Sequence, residues 1–159
     1  MNRTTTAEHR QYEKLRRMVD RRLEKVVPLS GPRELVDGCR YVLSGGGKRV
    51  RSTLLLLACG SVGGNVRQAR DAGAAIEIMH NFTLVHDDIM DRAPSRRGRP
   101  TVHIRWDLNN ALLVGDVLLG YAYEILLRTR SEALHPKERS HRRNHHYRVL
   151  SIAAWPIPK

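Results

Sequence analysis

Three carboxylates, Asp87, Asp88 and Asp91, close the run His80-Asn81-Phe82-Thr83-Leu84-Val85-His86-Asp87-Asp88-Ile89-Met90-Asp91, and Arg96-Arg97-Gly98-Arg99-Pro100-Thr101 follows at once. Successive helical residues are turned by about 100°, so His80, Leu84, Asp87 and Asp91 share one stripe, flanked by Thr83 and Asp88. Ile78, Phe82, Val85 and Ile89 fall opposite and are expected to pack inward. Like charges at this spacing disfavour a helix, and a hard divalent cation between them relieves the repulsion. Mg²⁺ suits such a seat because it prefers oxygen ligands, keeps several waters and is completed by phosphates. A bare acidic helix end is usually a solvated turn. Here an apolar segment, two histidines and a trailing arginine loop surround it, which points to diphosphate chemistry.

A second basic cluster lies upstream in Ser44-Gly45-Gly46-Gly47-Lys48-Arg49-Val50-Arg51. Glycines let the backbone approach a ligand closely and leave amides free for anionic oxygen. Lys48 and Arg51, three apart, share a face at a helical start. The spacing does not fit the nucleotide-binding P-loop. Alone, the segment is equally well an ordinary helix–helix loop. Joined to the acidic run and the arginine loop, it makes two cationic clusters around one carboxylate seat.

These segments occur together and in order: Lys48-Arg49-x-Arg51, then Glu77-x-x-His80-x-x-Thr83-Leu84-x-His86-Asp87-Asp88-x-x-Asp91, then Arg96-Arg97-Gly98-x-Pro100-Thr101, then Gly115-Asp116. Over residues 7 to 130 the chain resembles the first half of the trans-isoprenyl diphosphate synthases, the polyprenyl synthetase family that includes farnesyl and geranylgeranyl diphosphate synthases. The resemblance implies an all-α fold, part of a helical bundle around a central apolar cavity. It also implies a Mg²⁺-dependent prenyltransferase of isoprenoid biosynthesis, which condenses an allylic diphosphate with isopentenyl diphosphate. By the same carry-over Asp87 and Asp91, with Asp88 nearby, hold Mg²⁺ on the allylic diphosphate. Arg96 binds that diphosphate too, whereas Lys48, Arg51, His80 and Arg97 hold isopentenyl diphosphate. Phe82, five residues before Asp87, stands where the family often limits product length.

Two departures from the family pattern stand out. Ser52 follows Arg51 where relatives commonly carry proline, and it is expected to loosen the helix start without touching a ligand. The second aspartate-rich motif of the family is missing, which leaves half a metal site. Two functions are therefore weighed: a truncated synthase, inactive or partner-dependent by itself, and a non-catalytic diphosphate-binding or regulatory half-site protein. His86 reads as a structural residue, and Asp116 as either a site-facing group or a local cap.

The chain is expected to divide into residues 1–130, the synthase half, and residues 131–159, an irregular basic tail. That tail holds six basic and two acidic residues and four of the eight histidines. The family pattern stops near Arg130, which favours a truncated or out-of-frame end over a genuine extension. The formal charge of +12 favours anionic partners. No nucleic-acid reader motif is present and aromatics are sparse, so nucleic acid is not an expected partner. Cys39 and Cys59 make no disulfide framework. No signal peptide is evident and no run is expected to reach the length of a membrane span. A cytoplasmic setting and a homodimer or other partner-dependent assembly follow as expectations.

Five helices must position these residues: 7–26, with Tyr12, Leu15, Val19, Leu23 and Val26 on one side; 33–43; 49–58; 66–91; and 109–128. No segment shows the alternation or turn signals of a sheet. The faces carrying Leu54–Leu57 and Leu112–Leu119 are expected to leave apolar patches without later helices to cover them.

Overall fold

The computed structural model describes residues 3–26 and 31–129, so the expectations for residues 131–159 lie outside the described residues. The described residues form six helices: α1 (Arg3–Leu23), α2 (Arg33–Leu43), α3 (Val50–Ser61), α4 (Val66–Met90), α5 (Val102–Arg105) and α6 (Leu108–Arg128). The all-α expectation holds, with two additions. Residues Ser95–Arg96 (β1) and Arg99–Pro100 (β2) form a two-stranded antiparallel hairpin in the register Ser95↔Pro100, Arg96↔Arg99. The short α5 also went unforeseen. Strands of two residues and a helix of four are too brief to carry a readable period.

Helix boundaries follow from capping. Asn65 opens α4 by accepting hydrogen bonds from the amides of Arg67 (3.0 Å) and Gln68 (3.3 Å), and Asp107 opens α6 by accepting from Asn110 N (2.7 Å). At the end of α3, Gly63 takes φ +76°; its amide bonds to Gly60 O and that of Gly64 to Cys59 O. This paired closure is the usual glycine-dependent helix stop. The same closure ends α4, from Arg92 N to Ile89 O and Ala93 N to Asp88 O. There Arg92 occupies the left-handed position at φ 51°. The chain thus turns back sharply behind Asp91, which brings the arginine hairpin to the helix it has just left.

The core forms where α4 meets α6, with α1, α2 and α3 packed around them. On α6, Ala111, Val114, Leu118, Ala122 and Ile125 are buried at successive steps of three, four, four and three residues, the seam that one face of a packed helix requires. On α4, Ile78 and Val85 are buried, with Phe82 and Ile89 packed against them, as the periodicity predicts. On α1 the buried side chains are Leu15, Val19 and Leu23, and Val26 packs beside them.

Gly38 allows the α2–α6 contact. A β-carbon there would sit 2.5 Å from a methyl of the fully buried Val114. Valine is stiff at its first side-chain torsion and cannot swing aside. Gly38→Ala is therefore expected to cost about 1–3 kcal/mol, read as a lower melting temperature by circular dichroism. An unchanged melt would show that the helices part without cost.

Leu54 and Leu57 on α3, and Leu112, Leu113, Tyr123, Leu126 and Leu127 on α6, remain exposed. The expected patches are thus present, although Leu56 and Leu118 within the same runs are fully buried. One expectation needs correction. Residues Leu108–Leu127 form a 20-residue stretch of mean hydropathy 1.4, long and apolar enough to cross a membrane by length and composition. Asp116 and Glu124 break the run visually but leave its mean high. In this structure the helix is a bundle element, packed on α4 and α2.

Candidate diphosphate site

The loop before α3, the second half of α4 and the β1–β2 hairpin supply the site residues foreseen from sequence. Arg51 Nη1 lies 3.2 Å from His80 Nε2. Burial holds the His80 pKa below its ordinary value, and the neighbouring Arg51, Arg97 and Arg96 charges add to the effect against the opposing pull of Glu77. The ring is thus favoured in its neutral form, with Nε2 able to accept from Arg51. Arg97 donates to the Gly46 carbonyl, and its guanidinium would lie 3.2 Å from a β-carbon at Gly47. Burial and the nearby Arg49 and Arg96 push its pKa down, as befits a cation among cations. Lys48 is joined through its backbone carbonyl, which accepts from the Tyr12 hydroxyl. Among the described residues, Lys48, Arg51 and Arg97 form no ion pair with a carboxylate. An anion would find that charge uncompensated.

The hairpin turn carries backbone strain. Arg97 and Gly98 both have positive φ, 53° and 74°, the geometry a two-residue hairpin requires and one best served by Asn-Gly. An arginine in the left-handed region costs roughly 1 kcal/mol. Arg97→Asn should therefore leave the melt unchanged or slightly raised while weakening the binding of a diphosphate anion at this cationic cluster by about tenfold or more. Calorimetry beside a thermal melt checks this. Lost stability together with intact binding would mean that Arg97 serves the fold instead.

The three aspartates part company. Asp88 is buried and accepts from Arg96 Nε through both oxygens, at 2.8 and 3.0 Å. Asp87 is half-buried and Asp91 exposed. Among the described residues neither carboxylate has a cationic partner. So Asp87 and Asp91, one turn apart, are the free pair, while Asp88 fixes Arg96. No group of three or more histidine, cysteine or acidic side chains suited to a metal ion occurs among the described residues. Two hard oxygen donors still fit Mg²⁺, an ion that retains waters and takes phosphate oxygens as remaining ligands.

Beneath the site lies a buried polar network that the sequence did not disclose. Arg49, at φ 49° and 6 % exposed, donates through Nε to Asp20 Oδ1 (2.9 Å) and through Nη2 to the Leu43 carbonyl (3.1 Å). Its Nη1 lies 3.7 Å from Glu77 Oε2. Ser52 is fully buried; its amide donates to Glu77 Oε1 at 3.3 Å and its hydroxyl lies 3.0 Å from the same oxygen. The expectation that Ser52 loosens the helix start is therefore corrected. A proline would have no N–H to give, whereas Ser52 ties α3 to α4.

His86 is packed between α4 and α6. Its ring meets Phe82 edge to face with centroids 4.8 Å apart, and Nε2 lies 3.4 Å from the Leu112 carbonyl. A β-carbon at Gly115 would stand 2.3 Å from that ring, so Gly115 makes room for it. Asp116 is no cap: it sits within α6, two-thirds exposed, 3.9 Å from His86 Nε2.

The bundle thus presents a free carboxylate pair on α4 and unneutralised cations at the start of α3 and on the hairpin, groups suited to a metal ion and to an anion. The sequence matches the polyprenyl synthetase family over residues 32–151, and the chain belongs to that family. It is 46 % identical over 114 residues to the geranylgeranyl diphosphate synthase of Methanosarcina mazei, covering 72 % of this chain and 35 % of that one. Against the large subunit 1 of the heterodimeric geranylgeranyl pyrophosphate synthase of Arabidopsis thaliana chloroplasts, identity is 42 % over 111 residues, with 69 % and 30 % covered. The fold superposes on the geranylgeranyl pyrophosphate synthetase of Geoglobus acetivorans with a TM-score of 0.72 at 39 % identity, covering 75 % of this chain and 39 % of that one. The chain thus spans about a third of the length of the curated relatives it matches.

Proposed function

We propose that this chain carries the first half of a Mg²⁺-dependent prenyltransferase that condenses an allylic diphosphate with isopentenyl diphosphate. The observation that carries the reading is that, among the described residues, α4 bears two carboxylates without a cationic partner, Asp87 and Asp91, and also His80, around which the Arg51, Arg96 and Arg97 charges gather. Mg²⁺ held by Asp87 and Asp91 would draw charge from the departing diphosphate. Arg96, aligned by Asp88, would hold the same leaving group. Lys48, Arg51, His80 and Arg97 would bind isopentenyl diphosphate and set its double bond against the allylic carbon, a gain in proximity and orientation. The allylic C–O bond breaks, the new C–C bond forms, and the released diphosphate takes the proton lost by the product.

The exposed leucines of α3 and α6 support assembly with a second copy or a companion subunit. The free thiols Cys39 and Cys59 support a reducing, cytoplasmic setting. A second reading, diphosphate capture without turnover, is favoured by the lack, among the described residues, of any group of three or more histidine, cysteine or acidic side chains suited to a metal ion. Labelled isopentenyl diphosphate incubated with the chain, an allylic diphosphate and Mg²⁺ separates the two. Elongated product that vanishes in Asp87→Ala supports transfer. Mg²⁺-dependent binding without product supports capture.

A further inference from the structure

Tyr41 at the end of α2 and Trp106 after α5 meet edge to face, with ring centroids 5.3 Å apart and planes at 79°. The Arg99 guanidinium carbon lies 3.8 Å from the Tyr41 centroid. That of Arg105 lies 4.4 Å from the same ring and 4.9 Å from the Trp106 ring. With Asp37 and Arg40 they border an open cleft of about 490 Å³. Each ring contact is worth only about 0.5–1 kcal/mol at an exposed site, yet two like charges share one ring. Among the described residues Arg99 and Arg105 pair with no carboxylate. Asp37 is divided between Arg33 at 3.6 Å and Arg40 at 4.0 Å. The cleft itself therefore holds three guanidiniums against one carboxylate.

We infer that this cleft is a second binding site, for a diphosphate group, separate from the Asp87–Asp91 seat. A guanidinium resting flat on a ring keeps its N–H edge for an anion and meets phosphate oxygens in a two-point fork. A diphosphate carries two to three negative charges and is long enough to bridge two such forks, as a lone carboxylate is not. The Ser44 hydroxyl, 3.5 Å from Arg99 Nη1, adds a neutral partner at the rim. Tyr41 is anchored by donating to the Pro100 carbonyl at 2.7 Å, so the platform is fixed before the ligand arrives. Free inorganic diphosphate and a nucleoside diphosphate share this chemistry, and the half-buried Trp106 adds a stacking surface only for the latter. The site does not depend on the prenyltransferase reading, because none of its residues belongs to that machinery.

Trp106 itself reports occupancy. In the full chain carrying Trp155→Phe, inorganic diphosphate or ADP titrated in EDTA should quench Trp106 fluorescence saturably. Arg99→Ala with Arg105→Ala should weaken that affinity by roughly tenfold or more. Arg105→Lys, which keeps the charge and loses the fork, should weaken it severalfold. Arg10→Ala with Lys14→Ala, an equal loss of charge on α1, should leave it unchanged, as should Asp87→Asn. Tighter binding of ADP assigns the site to nucleotides, and equal binding assigns it to the diphosphate group alone. Unsaturable quenching, an equal loss from the α1 pair, or unaltered affinity in both cleft variants would overturn the site.

Discussion

Arg49→Ala is expected to abolish the cooperative melt of this chain, although Arg49 touches no proposed ligand. Its guanidinium joins Asp20 of α1, the Leu43 carbonyl at the end of α2 and Glu77 of α4, so one side chain closes three helix contacts. Both it and Glu77 are about 95 % buried. Removing one member of a buried pair strands the other charge in a medium that solvates it poorly, at about 3–5 kcal/mol. Whole domains are stable by only about 5–15 kcal/mol, and the exposed leucines give this one little surplus. Arg49→Lys should not restore it, since an ammonium cannot reach three acceptors in a planar fork. Arg51→Ala, two residues on and exposed, should stay within about 0.5 kcal/mol of the parent. Thermal denaturation of the three variants decides the matter, and a parental melt for Arg49→Ala would refute the network.

The second large effect separates binding from stability. Replacing Asp87 and Asp91 together by asparagine should lower Mg²⁺-dependent affinity for an allylic diphosphate by about a hundredfold, since several kcal/mol of metal-mediated attraction are lost. The same change removes a like-charge pair one turn apart, which should raise helix stability by about 0.2–0.5 kcal/mol. A variant that binds worse and melts no lower is the signature of a site maintained against the preference of the fold. If the pair were merely a solvated helix end, affinity would not move.

Much of the scaffold was legible because helices write their period into the sequence. The limits of α2 follow from the proline and glycines that flank it, and the buried Ile78 and Val85 stripe of α4 follows from spacing alone. What stayed hidden depends on residues that no period connects. Arg49 stands between Lys48 and Arg51 and looks like a third ligand cation, yet its left-handed backbone turns it inward to Asp20 and Glu77. Asp88 reads as a flanking carboxylate of the metal seat until the tight closure after Asp91 returns Arg96 to it. Ser52 looks like the loss of a proline and proves to be the gain of a donor. The turn at Arg97-Gly98 lacks the asparagine that would have announced it.

The seat formed by Asp87 and Asp91 is tested most directly by calorimetric titration of the chain with an allylic diphosphate, with and without Mg²⁺. Heat of binding that requires the cation and disappears when both aspartates are replaced is the predicted result. Equal binding in EDTA, or no uptake under either condition, would contradict it.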